Sequence, residues 1–284
     1  MTLREALTEA TTQIARRDAE ILLAHLLSRD RVWTFANRDA DILPSDLEGF
    51  RILVARRAAH EPLQYLTGTQ DFFGLTLNVT PDTLIPRPET ELLVEAVLHW
   101  ITSRPRTSAP RLPLRILDVG TGTGAIALAL AARLPTGSIT ATDISPPTLA
   151  VAQDNADRLG LAHRIVFILS DLLDELAPQL NQGHPFNIIV SNPPYVPSTD
   201  APLLQPEVVH HEPHTALFAG PTGLDIYRRL IPQARSALSP AGLLALEFGF
   251  GQREPLTELL KGWRNIRFID DYAGIPRVAL AIRP

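Results

Sequence analysis

Four consecutive residues, Asn192-Pro193-Pro194-Tyr195, carry the most specific chemical signal in the chain. They follow Ile188-Ile189-Val190-Ser191, an apolar, β-branched run that reads as a buried strand. The two prolines fix φ and donate no backbone N–H, so the chain leaves the sheet in one stiff conformation. Asn192 and Tyr195 are then held at the carboxyl end of a strand, where open α/β sheets receive their ligands. The side-chain carbonyl of Asn192 and the backbone carbonyl of Pro193 are two acceptors able to grip both hydrogens of a planar –NH2. The Tyr195 ring is a flat face on which an amide or a base can stack. A nitrogen held this way directs its weak lone pair at an electrophile. An ordinary turn accounts for an Asn-Pro pair alone; it gives no reason for all four residues after an apolar strand.

A second constellation lies upstream. Arg115-Ile116-Leu117-Asp118-Val119 reads as a strand, Gly120-Thr121-Gly122-Thr123-Gly124 as a tight loop, and Ala125 to Leu134 as a helix. A further strand, Ile139 to Thr142, ends in Asp143, roughly 20 positions past the glycines, where a carboxylate meets ribose hydroxyls. Gly120, Gly122 and Ala125 also fit the dinucleotide fingerprint, which predicts a pyrophosphate at the helix N-terminus. The other reading is S-adenosylmethionine (AdoMet), which carries a sulfonium and no phosphate. A hydride-transfer enzyme has no clear use for Asn192–Tyr195; an amino-group methyltransferase does.

The remaining elements must position these two groups. Strands are expected at Ile165–Leu169, Phe186–Val190, Leu243–Phe248, near Ile266–Ile269 and at Arg277–Ile282, with helices from Pro146 to about Leu159 and from Leu224 to Leu238. Ala241-Gly242 reads as a turn before the Leu243 strand. Residues 1–70 read as a small helical bundle, with Ala19, Leu22, Leu23, Leu26 and Leu27 on one stripe. Ser45 and Glu48 fit a capping box, opening a helix that carries Leu47, Phe50 and Val54 on one face. Residues 71–85 read as a hairpin linker turning at Gly74, and 86–284 as the domain that does the chemistry. Pro88 opens a helix with Glu89 and Glu91 at its positive end. Arg106 to Pro113 reads as a polar loop, and the proline-rich Val196–Thr222 as a lid or substrate-contacting segment. His210, His211 and His214 offer an i, i+4 pair, but Pro213 argues against a helix there, and no metal site is expected.

Composition narrows the class. The chain has 284 residues, 45% of them hydrophobic, no cysteine and a formal charge of −5. Disulfides, thiolate metal sites and cysteine nucleophiles are excluded. No apolar run reaches the roughly 18 residues of a membrane span. Met1–Glu5 lacks the basic and apolar stretches of a leader, so a cytoplasmic protein is expected. The acidic balance argues against a dedicated nucleic-acid binder.

Taken together, Gly120–Gly124, Asp118, Asp143 and Asn192–Tyr195 resemble the class I AdoMet-dependent methyltransferases that act on exocyclic or amide nitrogens. Glu61-Pro62-Leu63-Gln64-Tyr65, Gly68, Phe72 and Leu84-Ile85-Pro86-Arg87-Pro88-Glu89-Thr90-Glu91 narrow the resemblance to the release-factor glutamine N5-methyltransferases. Glu212-Pro213, Ala216-Leu217, Gly223-Leu224-Asp225 and the stretch from Asp271 to Arg277 agree. The resemblance implies a Rossmann-like, doubly wound, mostly parallel seven-stranded sheet after an all-helical domain that docks the release factor. It implies AdoMet as co-substrate and the glutamine of a Gly-Gly-Gln motif in peptide chain release factors as methyl acceptor. Gly120, Thr121, Gly122, Thr123 and Gly124 would line AdoMet, with Asp143 on the ribose and Asn192 alongside. Leu172 would flank the adenine by apolar contact, where relatives can carry a stacking aromatic. Asn192, Pro193, Pro194 and Tyr195 would hold the glutamine amide, with Asn192, Pro193 and Tyr195 as the catalytic group. Arg87 and Glu89 fit either a brace at the pocket entrance or a salt-bridged helix start. Nothing in the sequence demands more than a monomer. Two other readings stay open: a methyltransferase acting on a nucleic-acid base amine, and a non-catalytic AdoMet-binding scaffold.

Overall fold

The computed structural model describes residues 1–103, 113–181 and 183–284. The loop expected from Arg106 to Pro113 therefore lies almost wholly outside the described residues. The chain forms two compact units, Met1–Thr69 with Leu204–His211, and Gln70–Leu203 with Glu212–Pro284.

In the smaller unit the apolar spacing sets the helices. They are α1 (Leu3–Ala10), α2 (Arg16–Leu26), α3 (Arg31–Ala36), α4 (Pro44–Ala58) and α5 (Leu63–Thr67). Ala19, Leu22 and Leu23 of α2 are fully buried against Leu3, Phe50 and Val54, as their periodicity requires. The capping box is not where it was expected. Pro44 takes the first turn of α4 and Leu43 is its cap, so Ser45 already lies inside the helix and caps nothing. A true box opens α1, where Thr2 and Glu5 exchange bonds with each other's backbone N–H. The short helix Pro206–His211 joins this unit. Arg57 ties it in, pairing with Asp18 at 2.7 Å and Glu207 at 2.5 Å. That helix stops before Pro213, so His210 and His214 do not share a helical face. Among the described residues no group of three metal-ligating side chains forms.

The larger unit starts with a hairpin, β1 (Thr69–Phe72) and β2 (Leu75–Asn78), turning at Phe73 and Gly74, both at positive φ. Phe72 and Leu77 are buried in the core of this unit. Asn155 accepts from Asn78 N at 2.7 Å and donates to its carbonyl at 2.9 Å, so the expected linker is packed as part of the unit. There follow α6 (Pro88–Ser103), β3 (Arg115–Val119), α7 (Ala125–Arg133), β4 (Ser138–Asp143), α8 (Pro146–Arg158), β5 (Ile165–Leu169), α9 (Ala177–Asn181) and β6 (Phe186–Ser191). Next come α10 (Pro206–His211, in the smaller unit), α11 (Asp225–Ala237), β7 (Leu238–Glu247), α12 (Arg253–Leu259), β8 (Arg264–Asp270) and β9 (Pro276–Ile282).

Seven strands form one sheet in the order β5-β4-β3-β6-β7-β9-β8. The first five in that order pair in parallel; β9 runs antiparallel to both its neighbours. The chain builds outward from β3 through β4 and β5, then returns to place β6 on β3's other side. That reversal is a topological switch point, and it opens a crevice at the carboxyl ends of β3, β4 and β6. The central strands are buried on both faces, which explains why apolar residues fall at consecutive as well as alternate positions, as at Ile116-Leu117 and Ile188-Ile189-Val190. Ile116, Ile188 and Val190 join a core with α6 and α7, whereas Leu117, Ile189 and Leu244 join one with α11 and α12. The expected turn at Ala241-Gly242 is a bulge inside β7. Leu238 pairs with Phe186 and Leu243 with Ile188, so four residues are absorbed opposite one. No helix among the described residues is long and apolar enough to cross a membrane.

Candidate active site

A cleft of about 360 Å³ occupies the crevice at the switch point. The loop after β3, the ends of β4 and β5, and the Asn192–Pro194 turn after β6 all line it. The structure thus brings together Gly120, Thr121, Gly122, Thr123, Asp143, Leu172, Asn192, Pro193 and Pro194. Gly124 and Tyr195 are not in its lining. Gly124 opens α7 at φ +82°, and a Cβ there would sit 3.0 Å from the Leu128 side chain, so its smallness serves helix packing.

Gly122 adopts φ +58°, and no heavy atom lies within 4 Å of where its Cβ would stand. The backbone here is both left-handed and open, the condition under which a ligand can press against it. The loop is braced from below by Asp118, fully buried, which accepts from the Thr121 hydroxyl at 2.7 Å and from Ala127 N at 3.1 Å. Burial pushes this carboxyl up to about 7. Its Oδ1 is buried without a hydrogen-bond partner.

Asp143 closes β4. Its Oδ2 accepts from Gly122 N and its Oδ1 from Ser145 N, both at 3.0 Å. Each carboxylate oxygen keeps a further lone pair, so a vicinal pair of ribose hydroxyls could still be met. Burial raises this carboxyl above the usual range. Beside it, Ile144 and Leu172 give the cleft an apolar wall. Leu172 holds φ +53°, a conformation uncommon for a leucine, next to an Asp171 that pairs with Arg229 at 2.7 Å.

On the opposite side the turn after β6 is anchored at several points. The Ser191 hydroxyl donates to Val119 O at 2.6 Å, binding the ends of β6 and β3. Gln252 Nε2 holds the Tyr195 carbonyl at 2.8 Å. Asn192 Nδ2 donates to the Thr90 hydroxyl at 3.1 Å, which leaves the Asn192 carbonyl as the group's available acceptor. Asn192 and Thr90 both line the crevice over the glycine loop. Tyr195 sits behind this turn, its ring close to Gly249 and its hydroxyl 3.4 Å from Glu247 Oε1. Burial, and then the Glu247 charge, raises the Tyr195 phenol far above its ordinary value.

Sequence reasoning gave no role to Thr90 or Glu247, and named Arg87 either as a brace at the pocket entrance or as half of a salt-bridged helix start. Thr90 and Arg87 line the cleft, and Glu247 lies buried beside Tyr195. Arg87 pairs with the buried Glu212 at 2.5 Å, and Glu212 also accepts from Ile85 N at 3.3 Å. Arg87 is therefore both a cleft residue and one half of an ion pair, while Glu89 does not line the cleft. A signal for Glu247 existed. Like Asp143, it is a carboxylate closing an apolar strand.

The likeness to known proteins covers the chain end to end. The family described as PrmC N-terminal domain matches residues 2–68, and one described as methyltransferase domain matches residues 113–248. A protein from Koribacter versatilis named release factor glutamine methyltransferase is 41% identical over 292 aligned positions, covering 100% of this chain and 99% of its own. The protein of the same name from Moorella thermoacetica is 44% identical, with 100% and 99% covered. That from Escherichia coli K12 is 41% identical, with 98% and 96% covered. Among solved structures, the Thermus thermophilus 16S rRNA N2 G1207 methyltransferase in complex with AdoMet and guanosine superposes with a TM-score of 0.54. It is 20% identical, covering 76% of this chain and 50% of its own. Human methyltransferase 10 domain containing protein also gives 0.54, at 19% identity, with 82% and 96% covered. These two likenesses speak to the fold alone.

Proposed function

The chain belongs to the release factor glutamine methyltransferases, and from that membership we propose how its cleft moves a methyl group from AdoMet to the side-chain amide nitrogen of a release-factor glutamine. The observation that carries the reading is the placement of Asn192 across one crevice from Gly120–Thr123 and Asp143.

The residues present fit the co-substrate. The open backbone at Gly122 would take its amino-acid portion, Asp143 would accept from its ribose hydroxyls, and Ile144 with Leu172 would enclose its adenine. AdoMet supplies a methyl group on a positively charged sulfur. The chain's own task is to aim a poor nucleophile at it. An amide nitrogen shares its lone pair with the carbonyl. The Asn192 carbonyl and the Pro193 carbonyl each accept one of its two hydrogens and fix its direction. As the N–CH3 bond forms, the S–CH3 pair stays with sulfur, and the nitrogen becomes more positive. Both hydrogen bonds then strengthen, so they act in the transition state more than in the ground state. One of the two N–H protons leaves to solvent after transfer. Holding two reactants in line is worth up to ~7–11 kcal/mol in favourable cases. Tyr195 backs the turn, and the Gly-Gly-Gln glutamine enters past Pro194. Residues 1–70 dock the rest of the factor.

The protein works as a monomer in the cytoplasm, on protein and not on nucleic acid. Offering labelled AdoMet together with a release factor, bulk RNA and DNA tests this. Label confined to the factor's Gly-Gly-Gln glutamine is the expected result. Label in nucleic acid would support the base-methylating reading, and label nowhere a binding scaffold.

A further inference from the structure

Two aromatic side chains stand in solvent on the same rim of the sheet as the reacting group. Phe250 is 80% exposed and Tyr272 is 95% exposed. Among the described residues of the larger unit they are the two exposed Phe, Tyr or Trp side chains. Phe250 follows β7, which ends at Glu247, and Tyr272 follows β8, which ends at Asp270. β7 runs parallel to β6, and β8 shares their direction because β9 is antiparallel to both its neighbours. Both turns therefore leave the sheet at the carboxyl edge that carries Asn192–Tyr195.

Neither turn is loose. The buried Gln252 side chain accepts from Gly249 N at 2.9 Å and donates to the Tyr195 carbonyl at 2.8 Å. One side chain thus ties the Phe250 turn to the Asn192–Tyr195 turn. A Cβ on Gly249 would stand 2.9 Å from Cδ2 of the Tyr195 ring, so the two turns touch. In the Tyr272 turn, Asp271 Oδ1 accepts from Ala273 N and Ile275 N, each at 2.9 Å, and Oδ2 pairs with Arg277 at 3.2 Å. Phe248 N donates to the Arg277 carbonyl at 2.9 Å, which joins the two aromatic turns through the strands beneath them.

We infer that Phe250 and Tyr272 are a docking platform for the release-factor segment that carries the glutamine, packing against the chain beside the Gly-Gly-Gln motif and setting KM for the factor. This rests on the amide-clamp reading and extends its substrate side.

The first reason is direction of approach. Gly122, Asp143 and Leu172, where AdoMet would lie, stand at the ends of β3, β4 and β5. The β7 and β8 turns lie across β6 from them in the sheet order. A methyl acceptor gripped by Asn192 comes from that free side. The second reason is the substrate's own chemistry. Two glycines precede the glutamine and present backbone with no side chain. Recognition must then fall on peptide planes and on apolar residues further along. Flat aromatic faces suit both, and aromatic side chains are the usual anchors of protein interfaces. Single exposed apolar residues are ordinary on a surface. Here two rings sit on turns pinned to each other and to the reacting group, and folding alone would be served as well by a polar residue at each tip. Bases also stack on exposed rings, but a chain with a formal charge of −5 gives no general attraction for a polyanion.

The test uses the full-length protein, S-adenosylhomocysteine or AdoMet, and an unmethylated release factor. In hydroxyl-radical footprinting of the wild type with S-adenosylhomocysteine, Phe250 and Tyr272 should be oxidised in the free protein and protected when the factor is added, but not by bulk RNA. Phe250→Ala combined with Tyr272→Ala should raise KM for the factor by about tenfold or more, with kcat and AdoMet affinity within about threefold of wild type. Phe250→Trp, which keeps a flat apolar face, should hold KM within about threefold of wild type. Unchanged oxidation of both rings in the factor complex, protection by RNA alone, or a KM within about twofold of wild type in the double variant overturns the inference. The wild-type footprint decides the matter if the double variant does not fold. Asn192→Ala separates the platform from the clamp. It should lose methyl transfer while both rings remain protected in its complex with the factor. An active Asn192→Ala removes the clamp and leaves the platform to be judged by the footprint alone.

Discussion

In the proposed co-substrate site, Gly122 is the backbone position that a ligand would press against. A side chain there would be free of protein clashes, because nothing lies within 4 Å of its Cβ direction. It would still meet two penalties. At φ +58° a non-glycine residue is disfavoured by about 1–2 kcal/mol, and the new methyl would fill the face left open to the ligand. Gly122→Ala should therefore weaken AdoMet binding by more than about tenfold while shifting the melting temperature by only a few degrees, measured by calorimetry and thermal unfolding. A variant that melts much earlier but binds normally would place the requirement in folding. Gly124 works the other way, since its missing Cβ makes room for Leu128. The same loop motif thus holds one glycine that faces open space and one that makes room for the helix, a distinction that spacing cannot express.

Among the elements, the sheet was readable because its strands are buried on both faces and so appear as continuous apolar runs between glycine and proline signals. β3, β5 and β6 lie where those runs lie. Capping was less readable. Ser45 and Glu48 have the right types and spacing for a box, but Pro44 is already helical and displaces the cap to Leu43. Thr2 and Glu5 form the working box without an apolar run marked enough to draw attention to it. Thr2→Ala should thus lower stability by about 1 kcal/mol in urea unfolding, and Ser45→Ala by close to nothing. Equal effects would contradict the assignment. The short helices α10 and α12 were also missed, because six or seven residues give little periodicity. Of the site, Asn192–Pro194, Gly120–Thr123 and Asp143 could be read from local pattern, since each ends a strand. The place of Glu247 beside Tyr195 could not be read, because it depends on strand order, which brings β7 beside β6.

For the molecule as a whole, charge bears on which partner it takes. A formal charge of −5 gives no general attraction for a polyanion. A protein that bound nucleic acid through 6–10 phosphates would lose about 10³–10⁵ in affinity between 50 and 200 mM salt. Methyl transfer to a release factor should change in kcat/KM by less than about tenfold over that range, in steady-state assays. A collapse of several orders of magnitude would reveal a polyanion in the productive complex. The central claim is that a directed carboxamide clamps a substrate amide in the crevice over the glycine loop. Its most direct test is single-turnover methyl transfer to a release-factor glutamine by wild type and Asn192→Ala, with AdoMet affinity measured on the same samples. The account predicts that AdoMet binding stays within about threefold while the transfer rate falls by about a hundredfold or more. Transfer at near wild-type rate by Asn192→Ala would contradict it.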